Sequence, residues 1–489
     1  MRYILGIDIG TGSTKAVALN LNYEPIDSVQ QHYPSFSTLP GYHEQDPLLI
    51  WEAFNQCLLE MKERMGGPPE AIGLSSAMHS LVSVDENGMA LSPMMTWADA
   101  RSSAIAKRII GSEYGIAIYQ ETGTPIHAMS PLCKLIWWQE NQPDLLHRTF
   151  KFISIKEYIW YRLFKEFKID HSIASCTGLF SWKTLSWSEE SLQLAGITAR
   201  HLSEPVSTSY QKKNSEGTVF VIGASDGCLA NLGSDVNGKG MAALTIGTSG
   251  AVRISSPEPI FNKQAMTFSY ILDEQTFICG GPVNNGGIAL QWLLKNILGK
   301  TELSITDYAK LFEQIRATVA GSKGLIFLPY LSGERAPIWD SESCGSFFGL
   351  KLHHDQGDLS RAVVEGICYA LNQVLIALVP DKREIVQLHV SGGFVHAKIW
   401  MEILADITGK EIVLLQTEDA SAIGAAYMAI KAIGLTQSYP LSSGEKERVK
   451  PNADHHLVYQ ELFSIYAQLY PALQQSMHQL ENFTSQLSR

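Results

Sequence analysis

A chain of 489 residues, 45% hydrophobic and 18% charged, is long enough for more than one globular domain and too apolar to be disordered. Its formal charge of -11 excludes a general nucleic-acid binder and gives no basic face for a membrane surface. Seven cysteines, scattered and never in a CxxC pair, fit reduced thiols and offer no metal-site spacing. Asp8 interrupts the first apolar stretch before it reaches signal-peptide length, and no apolar run approaches the ~18 residues of a membrane span. The expectation is a soluble cytoplasmic protein.

Tyr3–Ile7 is a short apolar run closed by Asp8, Gly10, Thr11 and Gly12, with Ala16–Leu19 returning beyond it. This reads as a buried strand hairpin whose tip presents N–H groups and hydroxyls to an anion, with Asp8 placed to hold a metal ion beside it. Pro47 should open a helix carrying Leu49, Trp51, Phe54, Leu58 and Met61 near helical spacing. Ala71–Ser76 reads as a strand delivering Met78 and His79, and Ser92–Thr96 leads in the same way to Trp97, Asp99 and Arg101. Together these five side chains supply the apolar face, acceptor and donors that bind a polyol, although each taken singly reads better as packing or a surface pair.

Helical segments rich in Trp and Tyr should fill residues 115–215, before the strand Val219–Ser225 ends at Asp226. There the carboxylate can take a proton from a hydroxyl, or simply cap the next helix. Gly233–Gly240 is the predicted domain junction, dividing the chain into residues 1–237 and 238–489. Ala242–Gly250 then repeats the strand-then-Gly-Thr pattern, which suggests a duplicated phosphate-cradling unit. The second half should hold an apolar helix over 359–378, a strand over 385–390, a helix opened by Ser391-Gly392-Gly393 and another after Ile423. An amphipathic helix should close the last thirty residues. The loop Ser332–Pro337 reads as rigid and structural. Alternating strands and helices in both halves indicate two α/β domains with a cleft between them.

Gly345–Leu350 followed by Asp358–Gly366 resembles the C-terminal signature of the FGGY carbohydrate kinases. The Asp8-Ile9-Gly10-Thr11 start, Asp226, Ile246–Gly250 and Ser391–Gly393 stand in that family's order, so the likeness covers nearly the whole chain. It implies an α/β fold of two RNase H-like domains of the actin/Hsp70/sugar kinase type, closing a central cleft on ATP and Mg2+. By position, the resemblance implies that Asp8 organises Mg2+ and that Thr11, Gly247 and Thr248 contact phosphates. Gly287, Gly392 and Gly393 would line the adenosine site, Asp226 would be the catalytic base, and Met78, His79, Trp97, Asp99 and Arg101 would face the sugar.

Ser76–Ser80 departs from the Gly-Gln-Met-His-Gly of xylulokinases. Together with Thr122–Leu132, Thr96–Asp99 and Ile155–Tyr158 it is similar to gluconate kinases of the family. A gluconate carboxylate needs a local cation or strong donors, and His127, Lys134 and Lys156 lie in that region, His127 being the most discriminating. The expected reaction is phosphorylation of D-gluconate to 6-phosphogluconate. Xylulose or another polyol is the same-class alternative, and an actin- or Hsp70-like nucleotide switch the different-class one. The expected partners are a small sugar or sugar acid and ATP, with neither nucleic acid nor membrane; a homodimer is compatible with this reading.

Overall fold

The computed structural model describes residues 2–236, 238–379, 385–415, 419–441 and 446–487. The first apolar run forms β1 (Ile4–Ile9), which turns through Gly10–Gly12 into β2 (Ser13–Leu19), and β3 (Pro25–His32) pairs antiparallel beyond it. The helix expected from Pro47 spans Pro47–Met65 (α1). Asp46 caps it by accepting from Leu48 N–H, and Gly66 closes it in the left-handed conformation. It leads into β4 (Ala71–Ser76), parallel to β1 with Ile7 beside Leu74. With β5 (Gln211–Lys213) and β6 (Val219–Ser225) the first sheet runs β5-β6-β4-β1-β2-β3.

A second sheet is built from β7 (Met241–Ile246), β8 (Gly250–Ser256), β9 (Phe268–Asp273), β10 (Thr276–Val283), β11 (Gln387–Ser391), β12 (Glu411–Leu414) and β13 (Arg448–Val449). Its order is β9-β10-β8-β7-β11-β12-β13. Both sheets contain one kernel, in which a central strand has two antiparallel strands on one side and two parallel ones on the other: β3-β2-β1-β4-β6 and β10-β8-β7-β11-β12. The two Gly-Thr hairpins are therefore equivalent parts of a duplicated unit. The expected boundary falls at residue 237, which lies outside the described residues.

Equivalent helices follow the fifth kernel strands: α2 (Asp226–Gly233) after β6, and, later in the chain, Ala420–Ala432 after β12. They pack on each other between the sheets, main chain against main chain. A Cβ on Gly6, Gly73, Gly233 or Gly424 would lie 1.8, 1.9, 2.0 or 2.1 Å from the carbonyl oxygen of Ala422, Ala425, Ala420 or Leu229 respectively. No side chain fits such gaps.

The long apolar helix α3 (Gln356–Leu378) starts three residues before its expected Leu359, because Asp355 and Asp358 form a capping box there. It is long and apolar enough to cross a membrane, but 83% of that apolar window is buried, so it is a core helix of the second domain. The helix expected to open at Ser391 begins only at Lys398 (α4, Lys398–Thr408), after turns over 392–397. The helix expected after Ile423 already starts at Ala420 (α5), and the last helix is longer than thirty residues (α6, Ala453–Leu487). Buried Glu365 on α3 accepts from Gly321 N–H, Ser322 Oγ, Arg361 Nε and Tyr459 Oη, which ties α6 to the core.

Candidate active site

Strand ends of both domains converge on one cavity of about 270 Å³. The first domain contributes Met78 and His79 after β4, Trp97 and Met129 from loops, and Asp226 after β6. The second contributes Thr245, the Gly247–Gly250 turn, Arg253 on β8, Tyr270 on β9 and Arg335. A second cavity of about 450 Å³ is lined by Ser391, Gly392, Gly393 and Ser421. Asp226, Thr245 and Arg253 line both, so they form the doorway between the two.

Burial pushes the Asp226 carboxyl up to about 7, and the nearby Asp8 carboxylate adds to the rise. Asp8 is likewise raised by burial, while Ser75 Oγ, donating at 2.5 Å, and Lys15 pull it back. Two carboxylates that repel each other across a desolvated space suit a hard cation held by few protein oxygens. His79 Nδ1–H donates to Cys176 O at 2.8 Å, which leaves Nε2 as the acceptor facing Tyr270 Oη at 3.5 Å. Burial, reinforced by Lys134, holds this imidazole neutral at about 3. Its backbone is left-handed (φ 64°), a strained conformation for a non-glycine residue. Lys134 Nζ fixes both acceptor loops by donating to His79 O at 2.6 Å and Thr96 O at 2.7 Å. Trp97 Nε1 donates to Thr11 Oγ1 at 3.0 Å, joining the substrate wall to the first hairpin.

Asp99 and Arg101 are not brought to the cavity. Arg101 bridges Asp99 and Glu44 at 2.6 Å each and stacks 3.6 Å from the Tyr42 ring centroid; this buried cluster holds the Trp97 loop from behind. His127 packs against Trp339 with ring centroids 5.3 Å apart and accepts from Met129 N–H, and burial lowers it to about 3, so it is a neutral ring rather than a cation. Lys134 is committed to carbonyls, and Lys156 pairs with Asp170 at 2.7 Å and donates to Ala224 O. Thr248 and Gly287 support the turn: Gly287 N–H donates to Gly247 O and Ile288 N–H to Thr248 O. A Cβ on Gly287 would strike the Phe394 ring at 2.1 Å. Arg253 and Arg335 are cavity residues that the sequence reading passed over. Neither stands in a motif that announces a site, since one is mid-strand and the other follows Glu334 in the loop read as structural.

The second cavity has Gly227, Gly392 and Gly393 in its wall. Within it an added Cβ at Gly393 meets nothing within 4 Å and Gly392 has φ 111°; at Gly247, on the wall of the first cavity, the nearest atom lies at 3.9 Å. The main chain is thus left bare where phosphates would approach.

A duplicated RNase H-like kernel, with a carboxylate at the doorway between a polyol-sized cavity and a glycine-lined one, defines a two-domain kinase of the actin/Hsp70/sugar kinase type. Residues 3–233 match the N-terminal domain of the FGGY family of carbohydrate kinases and residues 242–433 its C-terminal domain. The chain belongs to that family, and it is an ATP-dependent carbohydrate kinase. It is similar to a gluconokinase of Bacillus licheniformis, with 38% identity over 99% of both chains. Among solved structures it is similar to a ligand-bound xylulose kinase from Lactobacillus acidophilus (TM-score 0.92, 31% identity, 98% of this chain and 100% of the other). It is also similar to a gluconate kinase from the same organism (TM-score 0.91, 32% identity, 96% of this chain and 98% of the other).

Proposed function

We propose that this kinase transfers the γ-phosphoryl group of ATP to O6 of D-gluconate, giving 6-phosphogluconate and ADP. The observation that carries the transfer chemistry is the position of Asp226, in the wall common to both cavities. Full-length similarity to gluconokinases favours the acid over a neutral sugar. In this reading the acceptor lies against Met78, His79 and Trp97. Asp226 takes the hydroxyl proton as the oxygen attacks phosphorus, and the bond to the β,γ-bridging oxygen breaks towards ADP. The Gly10–Gly12 and Gly247–Ser249 turns face the phosphates, with the Gly10 and Gly247 N–H groups bonded within the turns, and Gly392 and Gly393 lie beside the nucleotide. Mg2+, held by Asp8, would offset phosphate charge. Closure of the domains excludes water from the doorway. The proposed setting is the cytoplasm, and the proposed division of labour is acceptor binding by residues 1–237 and nucleotide binding by 238–489.

Xylulose is the second reading, favoured by the equally close structural likeness to a xylulose kinase. ADP release with Mg-ATP, measured against gluconate, xylulose, ribulose, glycerol and no acceptor, separates the two. Turnover on gluconate supports the proposal, turnover on xylulose alone replaces the substrate, and hydrolysis that no acceptor stimulates overturns both acceptor readings.

A further inference from the structure

Two pairs of arginines are withdrawn from solvent in contrasting ways. Arg101 and Arg361 are desolvated, but their partners, Asp99 and Glu44 for the first and Tyr459 with Glu365 for the second, more than offset this and raise both. Arg253 and Arg335 are lowered, by burial first, and among the described residues neither has a carboxylate within ion-pair distance. The Nε of Arg253 is buried with no hydrogen-bond partner. Arg335 donates to Asn284 Oδ1 at 2.7 Å and to Val283 O at 3.3 Å, both neutral oxygens. Its neighbour Glu334 is turned away, accepting from Asn285 Nδ2 and from the backbone N–H groups of Asn284 and Arg335. The charges of Asp226 on Arg253 and of Glu334 on Arg335 do not offset burial, and a guanidinium desolvated without a direct ion pair gains from an anionic ligand. The positions of the two differ. Arg253 stands at the doorway with Asp226, whereas Arg335 lines the acceptor cavity and not the phosphate one, with its guanidinium carbon 5.2 Å from the Trp97 ring centroid.

The reaction brings two anions to this space, the transferring phosphoryl group and the acceptor's carboxylate. In an extended six-carbon acid the carboxylate lies roughly 7 Å from O6, so one guanidinium cannot serve both. We infer that Arg335 binds the carboxylate of the sugar acid against the Trp97 wall, while Arg253 faces the phosphoryl group at the doorway. Arg335 is then the residue that selects an acidic acceptor over a neutral polyol, in place of His127, Lys134 or Lys156. This inference rests on the gluconate reading.

The test compares kcat/KM for D-gluconate with that for D-glucitol, the same carbon chain with a hydroxymethyl group in place of the carboxylate, at saturating Mg-ATP. Arg335→Gln is expected to raise KM for gluconate and to lower the gluconate-to-glucitol ratio about 10- to 100-fold, as loss of a charge-assisted hydrogen bond implies. Arg335→Lys keeps the charge but loses the fork, and should recover part of the ratio. Arg253→Gln, by contrast, should slow both acceptors alike. A gluconate KM unchanged in Arg335→Gln, or an equal loss on both acceptors, overturns the assignment while leaving gluconate as the substrate. Should the glutamine variant fail to fold, Arg335→Lys decides, because an unchanged ratio there overturns it as well. A wild-type enzyme that turns over xylulose and not gluconate overturns the substrate reading first, and the assignment with it.

Discussion

Replacing Asp226 by asparagine should abolish turnover and stabilise the fold. The carboxyl is held at about 7 instead of its ordinary 3.8, by burial first and by repulsion from Asp8 second. Below about pH 4 both folded and unfolded chains carry the proton, and the group is neutral in its effect. As the pH rises to 7 the unfolded chain releases the proton while the folded one retains it, so wild-type stability falls across this window and then levels off. The full difference corresponds to at most about 4 kcal/mol. Because Asp226 lines an open cleft, water screens part of it, and ~1–3 kcal/mol should be measurable. Asparagine is nearly isosteric and carries no charge at any of these pH values. Thermal unfolding of both proteins from pH 4 to pH 8 should therefore show the variant gaining on the wild type, by about 2–4 °C at pH 8 and by little at pH 4. ADP release assayed in parallel should be lost with every acceptor. A variant less stable than the wild type by the same margin at both pH values would refute the reasoning, since the carboxylate would then be favourably placed. So would a variant that retains turnover.

Gly6→Ala forces β1 away from the Ala422 carbonyl, and should cost about 3 kcal/mol or more in chemical denaturation. Gly393→Ala, whose Cβ meets nothing within 4 Å, should leave the melting temperature within about 1 °C and show its effect in KM for ATP. Lys134→Met orphans the buried carbonyls of His79 and Thr96; KM for the acceptor should rise more than KM for ATP, with about 2–4 kcal/mol lost in stability. Tyr459→Phe removes the hydroxyl shared by Arg361 and Glu365. It should release α6 to limited proteolysis at a cost of about 1–3 kcal/mol, while acceptor selectivity stays as in the wild type.

Elements whose signal is local were legible in the sequence. β1 and β7 are apolar runs closed by glycine, α1 has its cap and proline, and β6 ends where an acid follows a buried strand. Helix starts were misplaced where a cap or a turn outweighs hydrophobic spacing, as with Asp355 before α3 and the turns that delay α4 to Lys398. The strand expected over 385–390 forms over Gln387–Ser391, because its pairing partners β7 and β12 fix its register. In the site, the residues at strand ends lie where strand topology requires, since parallel kernel strands deliver their C-terminal ends to one edge. Asp99 and Arg101 look like polar site residues in one dimension. In three, Glu44, 57 residues upstream of Arg101, claims the guanidinium and makes the cluster structural. Arg253 and Arg335 were missed for the converse reason. Their significance lies in facing the cavity without a direct ion pair among the described residues, and that spatial arrangement leaves no trace in residue order.

The glycine contacts between the domains bear on how this chain tolerates change. Gly6, Gly73, Gly233 and Gly424 line a seam where main chain meets main chain, with no side chains to repack when a methyl group arrives. In a saturation screen scored by growth on the acceptor, all four would rank with Asp8 and Asp226, although none lines either cavity. A second screen scored by abundance would separate the classes: the seam glycines would drop out of the soluble pool, and the Asp226 variants would remain in it. The positions least open to evolutionary drift thus include four that carry no functional group.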